Sequence, residues 1–421
     1  LPIAFRIQLT ALKPVGFFRS NEEPSLPNLR RAKTLLAKDG VDFVVVSSPP
    51  NLSYFTQLKA GIQGVVGWWN MPKMLLLPVS KDTTPTLIVT IMDEWNILKE
   101  KSDLFEPVFY GGFILKFGGK KNEEIRRLER TYQCCLEDHK DAFGRFDEFV
   151  KSWTSESLTV GFESHHLPTE ALNLLKKRHP SVNFKPVDGT LGLIRTIKTE
   201  QEIETIKRSA AINIRGLRAI LDEIKPGVKE ITLAQTYLRE IATWDARPCH
   251  VMVNAGPESA ALLPAYERPY KIKKGDTVRI DVGCECRGYC SDISRTVSVG
   301  KVSEEKRRII LATTRGYVEA EKMLRPSLPI RELYHFTVST VKSAGLPDFE
   351  RTNVGHGLGV EVEELPELTS QSKETLESNM VINVETSYYS FGVGGFPCEE
   401  TVRVTENSYD LLTKLERVIE L

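Results

Sequence analysis

A chain of 421 residues is too long for a single hydrophobic core and suits two domains. Lys plus Arg and Asp plus Glu each total 56, a formal net charge of +0, which excludes a general phosphate-backbone binder, since that needs a basic excess. Hydrophobic residues at 41% and charged residues at 27% describe an ordinary globular chain, and no apolar run approaches the roughly 20 residues that would cross a bilayer.

The first eighteen residues are fairly apolar but carry Arg6 and Lys13 and lack a small-residue cleavage site, so they read as ordinary chain and not as a signal peptide. An amphipathic helix follows, with Leu29, Ala32, Leu35 and Leu36 on one face; Gly40 stops it, and Phe43–Val46 reads as a buried strand. Short strands are expected at Leu75–Pro78, Leu87–Ile91 and Val160–Glu163, with polar helical stretches over 121–153 and a helix at Thr169–Arg178. Trp68 and Trp69, among Gly61, Gly64 and Gly67, are either core or the wall of a loop over a pocket. His165 and His166 read as surface or turn residues. This alternation of strand and helix indicates an α/β amino-terminal domain.

The pattern switches near 186–199. Thr199-Glu200-Gln201-Glu202 is a capping box opening a helix with apolar positions at Ile203, Ile206, Ala210, Ile214, Leu217 and Leu221. Helical stretches are expected at about 230–246, 304–324 and 330–344, with Ser303 capping the second and Gly345 stopping the third. Two glycine-turned hairpins lie among them. The domains are therefore placed at 1–192 and 193–421, the second an α+β unit of helices backing an antiparallel sheet. The seven cysteines are odd in number and unevenly spread, which indicates reduced thiols and a cytoplasmic setting.

The chemistry sits on the hairpins. In Thr277–Asp292 a turn at about Cys286–Gly288 joins two strands, and Asp281 and Asp292 lie equidistant from position 286.5, so they are expected to face each other. The same parity puts Cys290 near the acids and Cys284 and Cys286 on the opposite face, against a zinc-thiolate cluster. In the second hairpin Glu385 and Glu399 are symmetric about Gly392. Between the hairpins stands Gly355-His356-Gly357-Leu358-Gly359, a histidine framed by residues that let backbone approach closely. Read singly, each acid is an ordinary solvated strand residue. Two opposed carboxylate pairs and a framed histidine together call for a cation.

These segments resemble the pita-bread metallopeptidases, a family that contains prolidase, aminopeptidase P and the metal-free creatinase. The resemblance runs through Ile280-Asp281-Val282-Gly283, Ser291-Asp292-Ile293-Ser294-Arg295-Thr296, the His356 segment and Glu399-Glu400-Thr401-Val402, with ligand spacings of 11, 64, 29 and 14. It continues more weakly into the amino-terminal half through Ser47–Thr56 as a creatinase-like domain. The resemblance implies a pita-bread fold with a curved sheet, a homodimer, and two divalent ions. Asp281 would serve one ion, His356 and Glu385 the other, and Asp292 and Glu399 would bridge them. A set of four carboxylates and one imidazole suits Mn, Fe or Co, with Zn admissible. The implied activity is hydrolysis of a C–N bond (amide, amidine or peptide) in a small molecule or short peptide by an activated bridging water.

The sequence departs from the family pattern around the substrate. Where the family places a histidine seventeen residues before the first aspartate stands Pro264, where it places one seven residues after the metal histidine stands Glu363, and where it often has an arginine before the last glutamate stands Pro397. His250 is the nearest substitute for the first, although it reads more readily as a histidine packed on a strand. Glu361 and Glu364 read as a solvated edge, whereas Glu363, on a strand-like run, is expected to face the site as proton carrier or partner of a cationic substrate. Two other classes remain open: a metal-dependent lyase acting on a betaine- or sulfonium-like substrate, and a binding protein that has lost catalysis. Neither nucleic acid nor membrane is an expected partner.

Overall fold

The computed structural model describes residues 28–58, 72–100, 103–112, 115–153, 157–261 and 269–421. Trp68, Trp69 and Pro264 lie outside the described residues.

Strands β1 (Phe43–Val46), β2 (Met74–Pro78), β3 (Thr86–Thr90), β4 (Glu106–Tyr110), β5 (Leu158–Phe162) and β6 (Val182–Pro186) form one sheet in the order β4-β3-β2-β1-β5-β6. All four residues of β1 are buried because helices cover both faces. Val44 and Val46 pack with Ala32 and Leu36 of the helix Leu29–Lys38; Phe43 and Val45 pack with Phe146 of the helix Ala142–Lys151 and Leu175 of the helix Thr169–Arg178. A continuous apolar run is what a strand covered on both sides requires.

The second sheet has nine strands: β7 (Arg247–Ala255), β8 (Thr277–Cys286), β9 (Tyr289–Ser298), β10 (Asn353–Gly357), β11 (Glu364–Thr369), β12 (Val381–Glu385) and β15 (Glu399–Val404) in the order β11-β10-β12-β15-β9-β8-β7, with β16 (Tyr409–Leu411) on β15 and β17 (Ile419–Glu420) on β9. A small hairpin of β13 (Tyr388–Ser390) and β14 (Gly394–Phe396) interrupts the run between β12 and β15. Every pairing along the main path is antiparallel. The helix Glu200–Glu223 opens with the expected box, Thr199 capping the Glu202 amide and the Glu202 carboxylate accepting the Thr199 amide. Ser303 caps the helix Glu304–Glu321, as expected.

One face of this sheet is apolar. Val278, Ile280, Val282, Cys284 and Cys286 of β8 pack with Leu217, Ile220, Leu233 and Tyr237 from the helices Glu200–Glu223 and Glu230–Ala242. Ile382, Val384, Val402 and Val404 pack with Tyr317 and Leu333 from the helices Glu304–Glu321 and Ile330–Ser343. By the period of two, the alternate residues, Arg279, Asp281, Asn383, Glu385, Glu399 and Thr401 among them, point to the other face.

The register of the first hairpin differs from the expected one. The turn is Arg287-Gly288, both with positive φ (54° and 85°), the geometry of a two-residue hairpin loop. Asp292 therefore pairs with Gly283, and Asp281 with Ser294. The acids are diagonal neighbours on one face instead of direct partners. The cysteine parity is as expected, with Cys284 and Cys286 in the apolar layer and Cys290 packed elsewhere. In the second hairpin Glu385 does stand directly opposite Glu399.

Between the sheets the chain is not slack. Ile197 bridges to Met380, the Lys198 amide donates to Asn379 O, and the Lys198 side chain is fully enclosed beside Glu364 (3.4 Å). Arg195, on the helix Asp188–Thr196, pairs with Glu361 and lies 3.6 Å from Glu364. Glu364 is thus buried, contrary to the solvated edge expected for it, whereas Glu361 is paired but half-exposed.

Candidate metal centre

Strands β8, β9, β10, β12 and β15 carry polar residues to one place on the inner face. Asp292, His356 and Glu399 converge there, all buried, with His356 Nε2 lying 3.9 Å from Asp292 Oδ2 and 3.8 Å from Glu399 Oε1. His356 pairs with Asn383 on β12, and it reaches this depth because Gly355, at φ +140°, lets β10 press against β12: a Cβ there would sit 1.9 Å from Asn383 O. The Nδ1 of His356 lies 3.0 Å from the Gly357 carbonyl, which can only accept. That nitrogen therefore carries the proton, and the Nε2 lone pair faces the acids. Asn383 Nδ2 donates to Glu399 Oε1 at 2.9 Å.

A second group adjoins the first through Asp292. His250 Nε2 lies 3.0 Å from Asp281 Oδ1 and 3.3 Å from Asp292 Oδ1. Arg279 donates to Asp281 Oδ2 at 2.9 Å. Glu385 is placed differently. Although it stands across from Glu399, its Oε2 accepts from Arg351 (2.6 Å) and from Ser387 Oγ (3.0 Å), and it belongs to neither cluster among the described residues.

The electrostatics of this face are dominated by crowded acids. Burial, and after it the charges of Asp292, Glu385 and Asp281, push the Glu399 carboxyl well above its usual range. Burial also opposes ionisation of Asp281, but hydrogen bonding and charge from His250, and then Arg279, outweigh it and hold Asp281 at about 2. Burial alone would drive His250 down; the carboxylates of Asp292 and Asp281 raise it to about 11. Asp292 Oδ1 is buried and has His250 Nε2, at 3.3 Å, as a polar neighbour without a well-formed hydrogen bond. Crowded acids, an imidazole lone pair aimed at them and a buried carboxylate oxygen without a well-formed hydrogen bond fit divalent cations held by hard donors.

Glu363 is exposed and is not among the clustered residues of the site. Residues 359–363 form bends, β11 starts only at Glu364, and Glu363 points into solvent. The alternation expected there is absent: the chain bends, and Glu361 and Glu364 meet Arg195 and Lys198. His165 is exposed beside Asp188, a surface residue as expected. The sequence does not single out three residues beside the clustered acids: Arg279, although it lies two residues before Asp281 on the same strand; Arg351; and His250, which reads from sequence only as a stand-in for a missing histidine or a packed strand residue.

An α/β domain joined to a curled antiparallel sheet that gathers acids and histidines is an architecture suited to a metal-dependent enzyme. The comparisons agree. The profile of metallopeptidase family M24 matches residues 204–406, and that of the creatinase/prolidase N-terminal domain matches residues 28–197. The Xaa-Pro dipeptidase of Pyrococcus horikoshii is 30% identical over 312 residues, spanning 73% of this chain and 88% of that protein. An uncharacterized peptidase of Bacillus subtilis is 33% identical over 389 residues, covering 91% of this chain and 97% of its own. Among solved structures, the prolidase from Pyrococcus furiosus superposes with a TM-score of 0.72 at 26% identity, covering 91% of this chain and all of that one (100%). The chain belongs to metallopeptidase family M24, with the creatinase-like amino-terminal and pita-bread carboxyl-terminal parts that the motifs implied.

Proposed function

We propose that this protein is a dinuclear-metal peptidase that hydrolyses the C–N bond of short peptides, with Xaa-Pro dipeptides as the first class to test. The observation that carries this reading is the buried convergence of Asp292, His356 and Glu399 in a family M24 chain whose Pyrococcus relatives are named Xaa-Pro dipeptidases. Asp281, Asp292, His356, Glu385 and Glu399 would hold two ions, with Mn, Fe or Co favoured by the oxygen-rich set. Such ions supply Lewis acidity and an acidified water for attack on an amide carbon.

The chain's own groups keep those donors in place. The Gly357 carbonyl fixes the His356 tautomer, Asn383 steadies Glu399, Arg279 steadies Asp281, and Arg351 with Ser387 holds Glu385. Pro397 and the exposed Glu363 cannot give the guanidinium and imidazole that the family uses to grip a peptide. One such donor lost typically removes about 2.7–4 kcal/mol of transition-state stabilisation, so simple Xaa-Pro dipeptides are expected to turn over more slowly than in ordinary prolidases. Seven free cysteines support a reducing, cytoplasmic setting, and the resemblance supports a homodimer.

The test is a substrate panel on protein reconstituted with Mn, Fe or Co: Xaa-Pro dipeptides, other dipeptides, cyclic amidines, and betaine and sulfonium compounds, with products resolved by chromatography. Release of the free amino acid and proline supports the proposal. Turnover confined to an elimination product, or none with any compound at full metal loading, overturns it.

A further inference from the structure

The strand register brings His250 to the Asp281–Asp292 pair, and this follows from a local irregularity. Strand β7 pairs Pro248 with Cys284 but His250 with Gly283, so Cys249 is an extra residue and the ladder shifts between them. His250 then lies over Gly283, which has no side chain to obstruct it: a Cβ there would sit 2.6 Å from His250 Cε1 and 2.8 Å from Nδ1. Gly283 stands two residues beyond Asp281 on β8 and is the direct partner of Asp292 on β9. An imidazole over this glycine meets both aspartates at once.

The separations are those of ligands to a common ion. Donors about 2.1 Å from a metal and at right angles to one another are about 3.0 Å apart. His250 Nε2 is 3.0 Å from Asp281 Oδ1 and 3.3 Å from Asp292 Oδ1, and that Asp292 oxygen, buried, has no well-formed hydrogen bond. The contrasting possibility is an imidazolium that pairs with the two acids and never touches a metal.

We propose that His250 is a metal ligand, adding an imidazole nitrogen to the ion held by Asp281 and Asp292, so that each of the two ions has one histidine. This rests on the dinuclear reading above but extends its ligand set. An imidazole at that ion shifts its preference toward Co and Zn relative to Mn, since nitrogen donors suit those metals better than an all-oxygen set does.

The experiment needs no activity. X-ray absorption of the Co- or Zn-loaded wild-type protein counts imidazoles directly: an average of one per ion is expected, and an average of one half overturns the proposal. Calorimetric titration of metal-stripped His250→Ala with Co should retain one tight site while the other weakens about 100-fold or more. Two unchanged sites in His250→Ala overturn the proposal while leaving the dinuclear reading intact. A wild-type protein that binds fewer than two ions overturns both. Circular dichroism of the stripped variant shows whether it folds, and if it does not, the wild-type imidazole count alone decides.

Discussion

The two sheets of this protein treat their faces in opposite ways. In the amino-terminal sheet both sides of β1 are apolar and covered by helices, so its burial is complete without any partner. In the carboxyl-terminal sheet the side of β8 that carries Ile280 and Val282 is equally well packed, while the other carries Arg279, Asp281 and the acids of neighbouring strands. The first sheet is stabilised by area removed from water. The second accepts repulsion on one face, and that face is useful because something must relieve it.

The largest effect should come from deleting a donor at the centre. Asp292→Ala or Glu399→Ala is expected to lower turnover by a factor of about 10³ or more and to abolish loading of at least one ion, as steady-state kinetics and metal analysis would show. The corresponding change on the first sheet, Phe43→Ala, is expected to cost about 3–5 kcal/mol in denaturant unfolding and to leave metal content unchanged. Equal metal loss in both variants would erase the contrast between the sheets. Stripping the metal from the wild type should lower the melting temperature, by the equivalent of about 2.7–4 kcal/mol for each ion relative to ions supplied at 100 to 1,000 times their Kd.

A smaller effect isolates a buried acid away from the metal centre. Burial pushes Glu202 up to about 7, against the Thr199 amide and Lys198, which lower it. Between the ordinary carboxyl value and about pH 7 the folded chain holds a proton that the unfolded chain has lost. The stability contributed is therefore complete at low pH and is lost as pH rises through about 7. Wild-type protein should lose up to about 3 kcal/mol relative to Glu202→Gln between pH 5 and pH 8, read from parallel denaturant titrations. The smallest effect belongs to Glu363→Gln: metal content unchanged and turnover within about twofold of wild type, because the side chain is in solvent. A large fall in turnover with metal retained would return Glu363 to the site.

Much of this was legible in the sequence because it depends on parity and caps. Cys284 and Cys286 fall on the apolar side whichever residue centres the turn, and the Thr199–Glu202 box closes within four residues. The register of the first hairpin was not legible, since it depends on Arg287 adopting a positive φ that arginine seldom takes. His250 was hidden for a different reason. Its place depends on a ladder between β7 and β8 that joins distant residues, and on one extra residue, Cys249, within it. The exposure of Glu363 was not legible, since strand alternation stops in a stretch that bends, where Glu361 and Glu364 pair with Arg195 and Lys198, more than 160 positions earlier in the chain.

Those two cations carry a further meaning. Residues 195–198, where one sheet hands over to the other, are stitched to the segments on either side of β11: Lys198 is enclosed against Glu364 at its start, and Ile197 bridges to Met380 just before β12. Burial pulls the Lys198 ammonium below its usual pKa, so its charge there depends on Glu364 and Glu202 opposing that pull. Severing the chain at this crossing would strand a lysine in one fragment and its carboxylate in the other. The halves are thus not interchangeable modules: an exchange of amino-terminal parts between relatives must carry the 195–198 seam and its acidic counterpart together.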